Sequence, residues 1–238
     1  MNTGQQLSIV IPVFNEDKNF PNTYKSIKKF IKIPSTVYVV YDFDEDTTVP
    51  VVKELAKKDP NLKLVKNTLG RGPLNALKSG FAAVKTGPLL VVMADLSDDL
   101  QDVAAMMELY EGGNQIVCGS RYMPGGKQVG GPFLKRTLSR LSGLSLHYLR
   151  GIPTHDITNN FKLYDSALLH ETTIESTKGF CVAMEITVKA FLNGKKIAET
   201  PTTWRDRTEG EANFKLFKWL PEYLHWYFYS FQPKQKNS

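Results

Sequence analysis

Apolar runs of strand length alternate with segments of helical spacing along the first half of this chain, and that alternation constrains the fold more than any other feature. LSIVIPVF, STVYVVYD, LKLVKN, PLLVVMA and NQIVCGS each read as a strand. Between them FPNTYKSIKKFI, VPVVKELAKK, LNALKSGFAAVK and LQDVAAMMELY read as helices, the first through Phe20, Tyr24, Ile27 and Ile31. Near-continuous apolar strands that alternate with helices predict a parallel sheet covered on both faces. Right-handed crossovers then bring the carboxyl ends of the strands to one edge, where ligands of such sheets bind.

The residues expected at that edge are polar. Pro12 to Asp17 follow the first strand, Asp42 to Thr48 the second, Asn67 to Gly72 the third, Asp95 to Asp99 the fourth and Gly119 to Tyr122 the fifth. Helix capping accounts for Asp46, Thr47, Asp98 and Asp99. It does not account for Asp42 and Asp95, each of which closes an apolar strand, and these two point to function.

Composition narrows the class. The 238 residues suffice for a substantial core. Cys118 and Cys181 are the only cysteines, too few for a disulfide scaffold or a cysteine metal cluster, which favours a reducing, cytoplasmic setting. No signal peptide is evident, and no apolar run reaches the ~18 residues of a spanning helix. The formal charge of +6 suits anionic partners: phosphates, acidic lipid surfaces or nucleic acid.

Six motifs appear in order: IVIPVFNEDKN, VVYDFDEDTT, VMADLSDD, GSRYMPGG, DITNNFKLY and RDRTEGEANFK. Together they resemble the family 2 glycosyltransferases of GT-A fold, of the polyprenyl-phosphate (dolichol-phosphate) mannose or glucose synthase type, from about Leu7 to about Phe217. The resemblance implies an α/β GT-A fold, a Rossmann-like, mostly parallel sheet flanked by helices with a C-terminal acceptor-side region. It implies one domain over 1–238: a nucleotide-sugar half to about 120, an acceptor-side half over about 121–212, and an aromatic helix or tail over about 213–238. The implied reaction is inverting transfer from a nucleotide-diphospho-sugar, assisted by Mg²⁺ or Mn²⁺.

The implied donor site comprises Pro12, Asn15, Glu16, Asp42, Arg71, Asp95 and Arg207. Tyr41 stands where the family has a second Asp, and Phe43-Asp44 where it often has Gly-Ser. At the metal motif the family carries Asp-x-Asp, and this chain reads Met93-Ala94-Asp95. Mg²⁺ is commonly held by one or two carboxylates plus substrate phosphates, so Asp95, helped by Ser97 or Asp98, makes a weaker site than two paired acids. Met93 itself reads as core packing.

The implied acceptor-phosphate residues are Arg121, Lys135, Ser139 and Arg207. Arg121 with Asp95 and Asp156 forms the catalytic set. Asp156 either positions the nucleophile or accepts its proton; a phosphate acceptor, with a second pKa of ~6, needs no strong base, whereas a hydroxyl does. Glu185 matches a family helix acid; the alternative is a buried helix acid paired with an Arg. Gly210 and Lys215 belong to a loop able to close over the donor. The aromatic end, NFKLFKWLPEYLHWYFYSFQPK, suits either a membrane interface or docking on the core, and Pro221 is expected to break its helix.

The implied partners are thus a nucleotide-diphospho-sugar and a lipid phosphate at the membrane surface, with no nucleic acid; a homo-oligomer stays open. The expected place is the cytoplasm or the cytoplasmic membrane face, without a transmembrane helix. Three alternatives remain at this point: a saccharide hydroxyl as acceptor, a non-catalytic nucleotide-sugar-binding protein, and a nucleotidyltransferase. The acidic first loop counts against the last of these.

Overall fold

The computed structural model describes residues 6–206 and 216–234. Seven strands form its main sheet: β1 (Leu7–Pro12), β2 (Ser35–Tyr41), β3 (Leu62–Lys66), β4 (Pro88–Val91), β5 (Ile116–Ser120), β7 (Lys162–Asp165) and β8 (Ile197–Pro201). Their order is β3-β2-β1-β4-β7-β5-β8. All pairings are parallel except those of β7, which runs antiparallel between β4 and β5. The fifth strand therefore still points the same way as the first four. A parallel pair, β6 (Lys127–Val129) and β9 (Thr203–Arg205), stands apart from this sheet.

Every β1 residue is buried, because helices cover both faces. Ile9 and Ile11 pack on one side with residues of α1 (Phe20–Phe30), α2 (Thr48–Ala56) and α4 (Val103–Glu111). Val10 packs on the other with α3 (Pro73–Ala83), α6 (Ser166–Glu171) and α7 (Val182–Leu192). Side chains that alternate along a strand require this division. A 3-10 turn, Leu100–Asp102, leads into α4, capped by the Asp99 carboxylate at the Gln101 amide. Helix α5 (Phe133–Ser145) continues into a π turn over Leu146–Arg150.

The C-terminal helix α8 spans Leu216–Tyr229 and passes through Pro221, contrary to the expected break. Proline removes one helical hydrogen bond, and tertiary anchors offset that loss here. The Glu222 carboxylate accepts the amides of Thr177 at 2.6 Å and Lys178 at 3.1 Å. Trp226, buried, donates from Nε1 to Ser176 at 2.8 Å. Trp219 lies against Gly179, where a Cβ would come within 2.5 Å of the indole ring. Docking on the core therefore accounts for the Trp219–Trp226 face of α8. Glu185 belongs to this scaffold: it is buried, paired with Lys189 at 2.7 Å, and accepts the amides of Glu175 and Ser176.

Candidate functional site

The carboxyl ends of β1 to β5 open into one cleft of about 1290 Å³. Pro12, Glu16, Asp42, Arg71, Asp95, Ser97, Asp98, Arg121, Lys135 and Ser139 all line it, so the structure brings together most of the residues the sequence singled out. Arg207, Gly210 and Lys215 lie outside the described residues.

At the end of the cleft expected to take the donor, the loops are clamped to one another. Asn15 adopts a left-handed backbone with φ of 54°, a conformation uncommon for a side-chain-bearing residue. Its amide donates to both oxygens of the buried Asp46 at 3.1 and 3.2 Å, and its side-chain oxygen accepts the Thr47 amide at 3.2 Å. The Glu16 amide donates to the Thr48 hydroxyl at 2.9 Å. Asp46 also accepts the Thr48 amide at 2.8 Å. This acid, which the sequence suggests as a helix cap, thus holds the first loop in place as well. The turn sets the half-exposed Phe14 edge-on to Phe43, with ring centres 5.6 Å apart, and the Arg71 guanidinium lies over Phe43 at 4.7 Å. Asp42 accepts from the Asn67 side chain at 2.7 Å and from the Gly72 amide at 2.8 Å.

Beyond β4 the chain turns sharply at Leu96, whose φ of 62° is another left-handed outlier. The turn aims two carboxylates at the cleft. Asp95 accepts the Ser97 amide at 3.1 Å, and Asp98 accepts the Met93 amide at 2.9 Å. Burial pushes the Asp98 carboxyl up to about 7, with the Asp95 charge adding to the rise. A cation between two acids in this state relieves both the burial and the repulsion. Met93 is half-buried and faces the cleft, so its expected place in the core is corrected. Among the described residues no group of three or more His, Cys, Asp or Glu side chains is arranged to hold a metal alone. Asp95 and Asp98 nevertheless fit a hard divalent ion that takes its remaining ligands from phosphate and water.

At the other end, expected to take the acceptor, Arg121 and Asp156 form a buried bidentate pair, Nε to Oδ2 at 2.6 Å and Nη2 to Oδ1 at 2.9 Å. The Arg121 amide donates to the same carboxylate at 3.1 Å. Nη2 also reaches Ser139 at 3.0 Å and Thr158 at 3.3 Å, and Tyr122 donates to Ser139 at 3.1 Å. Burial alone would raise the Asp156 carboxyl, but the Arg121 charge overrides it and holds the group below the usual carboxylate range. A carboxylate so depressed, fully buried and bound by a guanidinium is a poor proton acceptor. Buried Lys162 braces the same loop from below, donating to the carbonyls of Asp156, Ile157 and Asn159.

Gly143 lets α5 close on this loop: a Cβ there would stand 2.1 Å from the His155 carbonyl oxygen. His155 is fixed in turn by Glu199, whose carboxylate meets its Nδ1 at 2.5 Å and accepts its amide at 2.8 Å. Sequence reasoning did not single out Thr158, Lys162 or Glu199. Thr158 and Lys162 sit inside the quoted DITNNFKLY motif, whereas Glu199 carries no local signal.

Residues 8–173 match the family model described as Glycosyl transferase family 2, and the chain belongs to that family. Among curated proteins it is similar to a polyprenol monophosphomannose synthase of Mycolicibacterium smegmatis, with 27% identity over 90% of this chain and 87% of the relative. It is also similar to a dolichol-phosphate mannosyltransferase of Pyrococcus furiosus, with 28% identity over 92% of this chain and 62% of the relative. An undecaprenyl-phosphate mannosyltransferase of Micrococcus luteus is 28% identical, with 85% of each chain covered. Among solved structures, glucosyl-3-phosphoglycerate synthase from Mycobacterium tuberculosis superposes with a TM-score of 0.70 at 15% identity, covering 98% of this chain and 82% of that one. That structure holds Mn²⁺, UDP and glucosyl-3-phosphoglycerate, and a second one of the same enzyme, at TM-score 0.67, holds Mg²⁺ and UDP. The expected α/β, GT-A architecture is thereby established, as is glycosyltransferase membership.

Proposed function

We propose that this glycosyltransferase moves a sugar, with inversion, from a nucleotide-diphospho-sugar to a polyprenyl phosphate at the cytoplasmic membrane face. The observation that carries this reading is the two-ended cleft. Its donor end is edged by Asp42, Arg71, Asp95 and Asp98; its other end sets Arg121, Lys135 and Ser139 beside apolar walls of Leu138, Leu141, Leu224 and Phe228. Cationic and hydroxyl groups that share a cleft with apolar walls suit a phosphate that carries a long hydrocarbon. The names of the curated relatives support the same acceptor class.

In this reading an oxygen of the acceptor phosphate forms the new bond to the anomeric carbon, while the bond from that carbon to the nucleoside diphosphate breaks on the opposite side. The acceptor is already largely ionised at neutral pH, so no base is required, consistent with the engagement of Asp156 by Arg121. Arg121, steered by Asp156 and Thr158, binds and orients the acceptor phosphate with Lys135 and Ser139. Asp42 and Arg71 hold the nucleoside. Asp95 with Asp98, and Ser97 beside them, would hold Mg²⁺ or Mn²⁺, which when bound offsets charge on the leaving diphosphate.

The test is transfer from a panel of UDP-, GDP- and dTDP-sugars to a short-chain, water-soluble prenyl phosphate, with and without Mn²⁺. Metal-dependent formation of a prenyl-phosphate sugar is the expected result. Transfer only to a soluble saccharide, or to no acceptor with any donor, would overturn the proposal.

A further inference from the structure

Strand β7 enters the sheet between β4 and β5, so the residues that lead into it lie between the two ends of the cleft. The antiparallel register that pairs Leu90 with Leu163 sets Met93 opposite Asn160 when carried on past β4. The register that pairs Cys118 with Lys162 sets Ser120 opposite the same Asn160. The Gly119 amide donates to the Phe161 carbonyl at 2.9 Å, so this second alignment does continue beyond the first residue of β7. Asn160 is thus flanked on one side by the residue two before Asp95 and on the other by the residue just before Arg121. Adjacent strands stand about 4.8 Å apart, so the two flanking chains are about 10 Å from each other, room for one sugar ring.

Two successive asparagines are used differently here. Asn159 is buried and committed: its Nδ2 donates to the Gly119 carbonyl at 2.8 Å and its Oδ1 accepts the Phe161 amide at 3.4 Å. Asn160 is half-buried and lines the cleft, and its side chain has no hydrogen-bond partner among the described residues. An amide carries two N–H donors and a carbonyl acceptor, so it suits a ligand that also both donates and accepts, as a sugar hydroxyl does. Met93, opposite it, is half-buried and lines the cleft as well, and offers a thioether to the C–H face of a ring. Neither side chain carries charge. In the proposed reaction the charged groups are already assigned, Asp95 and Asp98 to the cation and Arg121 and Lys135 to the acceptor phosphate. What lies between those groups is the sugar itself.

We infer that Asn160, seated against Met93, reads the hydroxyls of the transferred sugar and so decides which epimer of the donor is accepted. The inference rests on the proposed transfer reaction and names the residue that selects its sugar. The selection is a difference between two ligands: a hydroxyl that meets the Asn160 amide is hydrogen-bonded, whereas its epimer leaves the amide and itself unpaired inside the cleft.

Donors that share a nucleotide and differ at one hydroxyl test this: UDP-glucose against UDP-galactose, GDP-mannose against GDP-glucose, and dTDP-glucose against dTDP-galactose. Affinities of the full chain are read by titration calorimetry with Mn²⁺, beside those of UDP, GDP and dTDP alone. Wild type is expected to prefer one member of a pair. Asn160→Ala should bind that donor roughly tenfold more weakly and bring the two epimers within about twofold of each other, at unchanged affinity for the nucleoside diphosphate and an unchanged thermal midpoint. Asn160→Gln, which keeps the amide but moves it by one methylene, should fall between the two. An equal loss for donor and nucleoside diphosphate would make Asn160 a metal or nucleotide contact, and a raised acceptor KM at unchanged donor affinity would make it an acceptor contact. Either result overturns the inference, as does an epimer preference that wild type lacks or that Asn160→Ala leaves intact. If wild type binds no nucleotide-sugar at all, the inference and the proposed donor fall together. If the sugar-selective loss is found but no prenyl phosphate accepts, Asn160 keeps its place and only the proposed acceptor falls.

Discussion

The two ends of the cleft fix their charged groups by opposite means. At the donor end Asp42 accepts from Asn67 and the Gly72 amide, Asp95 from the Ser97 amide and Asp98 from the Met93 amide. A neutral donor orients a carboxylate oxygen without cancelling its charge. At the acceptor end Asp156 meets Arg121 as a full ion pair inside the protein. That pair has almost no net charge, so attraction for an anion depends on Lys135 and its basic neighbours, while the pair supplies geometry. The donor end is built to hold charge and the acceptor end to hold shape.

Substitutions should separate these roles. The largest effect on stability is expected from Asp156→Asn, which leaves Arg121 buried without its counter-charge and should cost about 3–5 kcal/mol by urea unfolding at pH 7. The Asp156 pKa is lowered in the folded state, so its stabilisation is present above the unfolded carboxylate value of ~3.9 and is lost as pH falls through the lower folded value. The gap between wild type and variant should therefore narrow below about pH 4; a gap that stays constant there would show that the pair is not its origin. By contrast Asp95→Ala should reduce transfer about 10²–10³-fold, on the scale of losing one group that stabilises developing charge, while the unfolding midpoint barely moves. Met93→Asp should tighten Mn²⁺ binding, read by titration calorimetry; unchanged affinity would remove Asp95 from the metal site. Gly143→Ala pushes α5 off the His155 carbonyl and should cost about 1–3 kcal/mol. Its kinetic mark is a raised KM for the acceptor at unchanged KM for the donor, and equal changes in both would break the division. Asp99→Ala, at the edge of the donor end, should cost only about 1 kcal/mol as a lost cap, with full turnover.

Much of the donor end could be read from the sequence because each of its residues follows directly on an apolar strand. Asp42 and Asp95 announce themselves as acids where a buried run stops. The acceptor end was less legible because its contacts join distant segments: Arg121 to Asp156 and His155 to Glu199. Asp156 was visible through its motif, but its burial against Arg121 was not, and that contact decides between base and brace. Strand β7 was missed because its four residues, the first three all buried, leave no period to count. Pro221 misled for a related reason, since local propensity reports the cost of a proline and says nothing of Glu222 and Trp226, which fasten the helix elsewhere.

The antiparallel insertion of β7 has a consequence for how the chain is born. β4 and β5 are neighbours in sequence but not in space; the slot between them is filled by Lys162–Asp165. A nascent chain that has emerged only as far as β5 thus carries an open sheet edge on β4, with Leu89 and Leu90 unpaired on that side. Such edges recruit other strands. The wait ends only when β7 leaves the ribosome, so a fragment of the first 120 or so residues, although it contains nearly the whole donor end, should aggregate rather than fold.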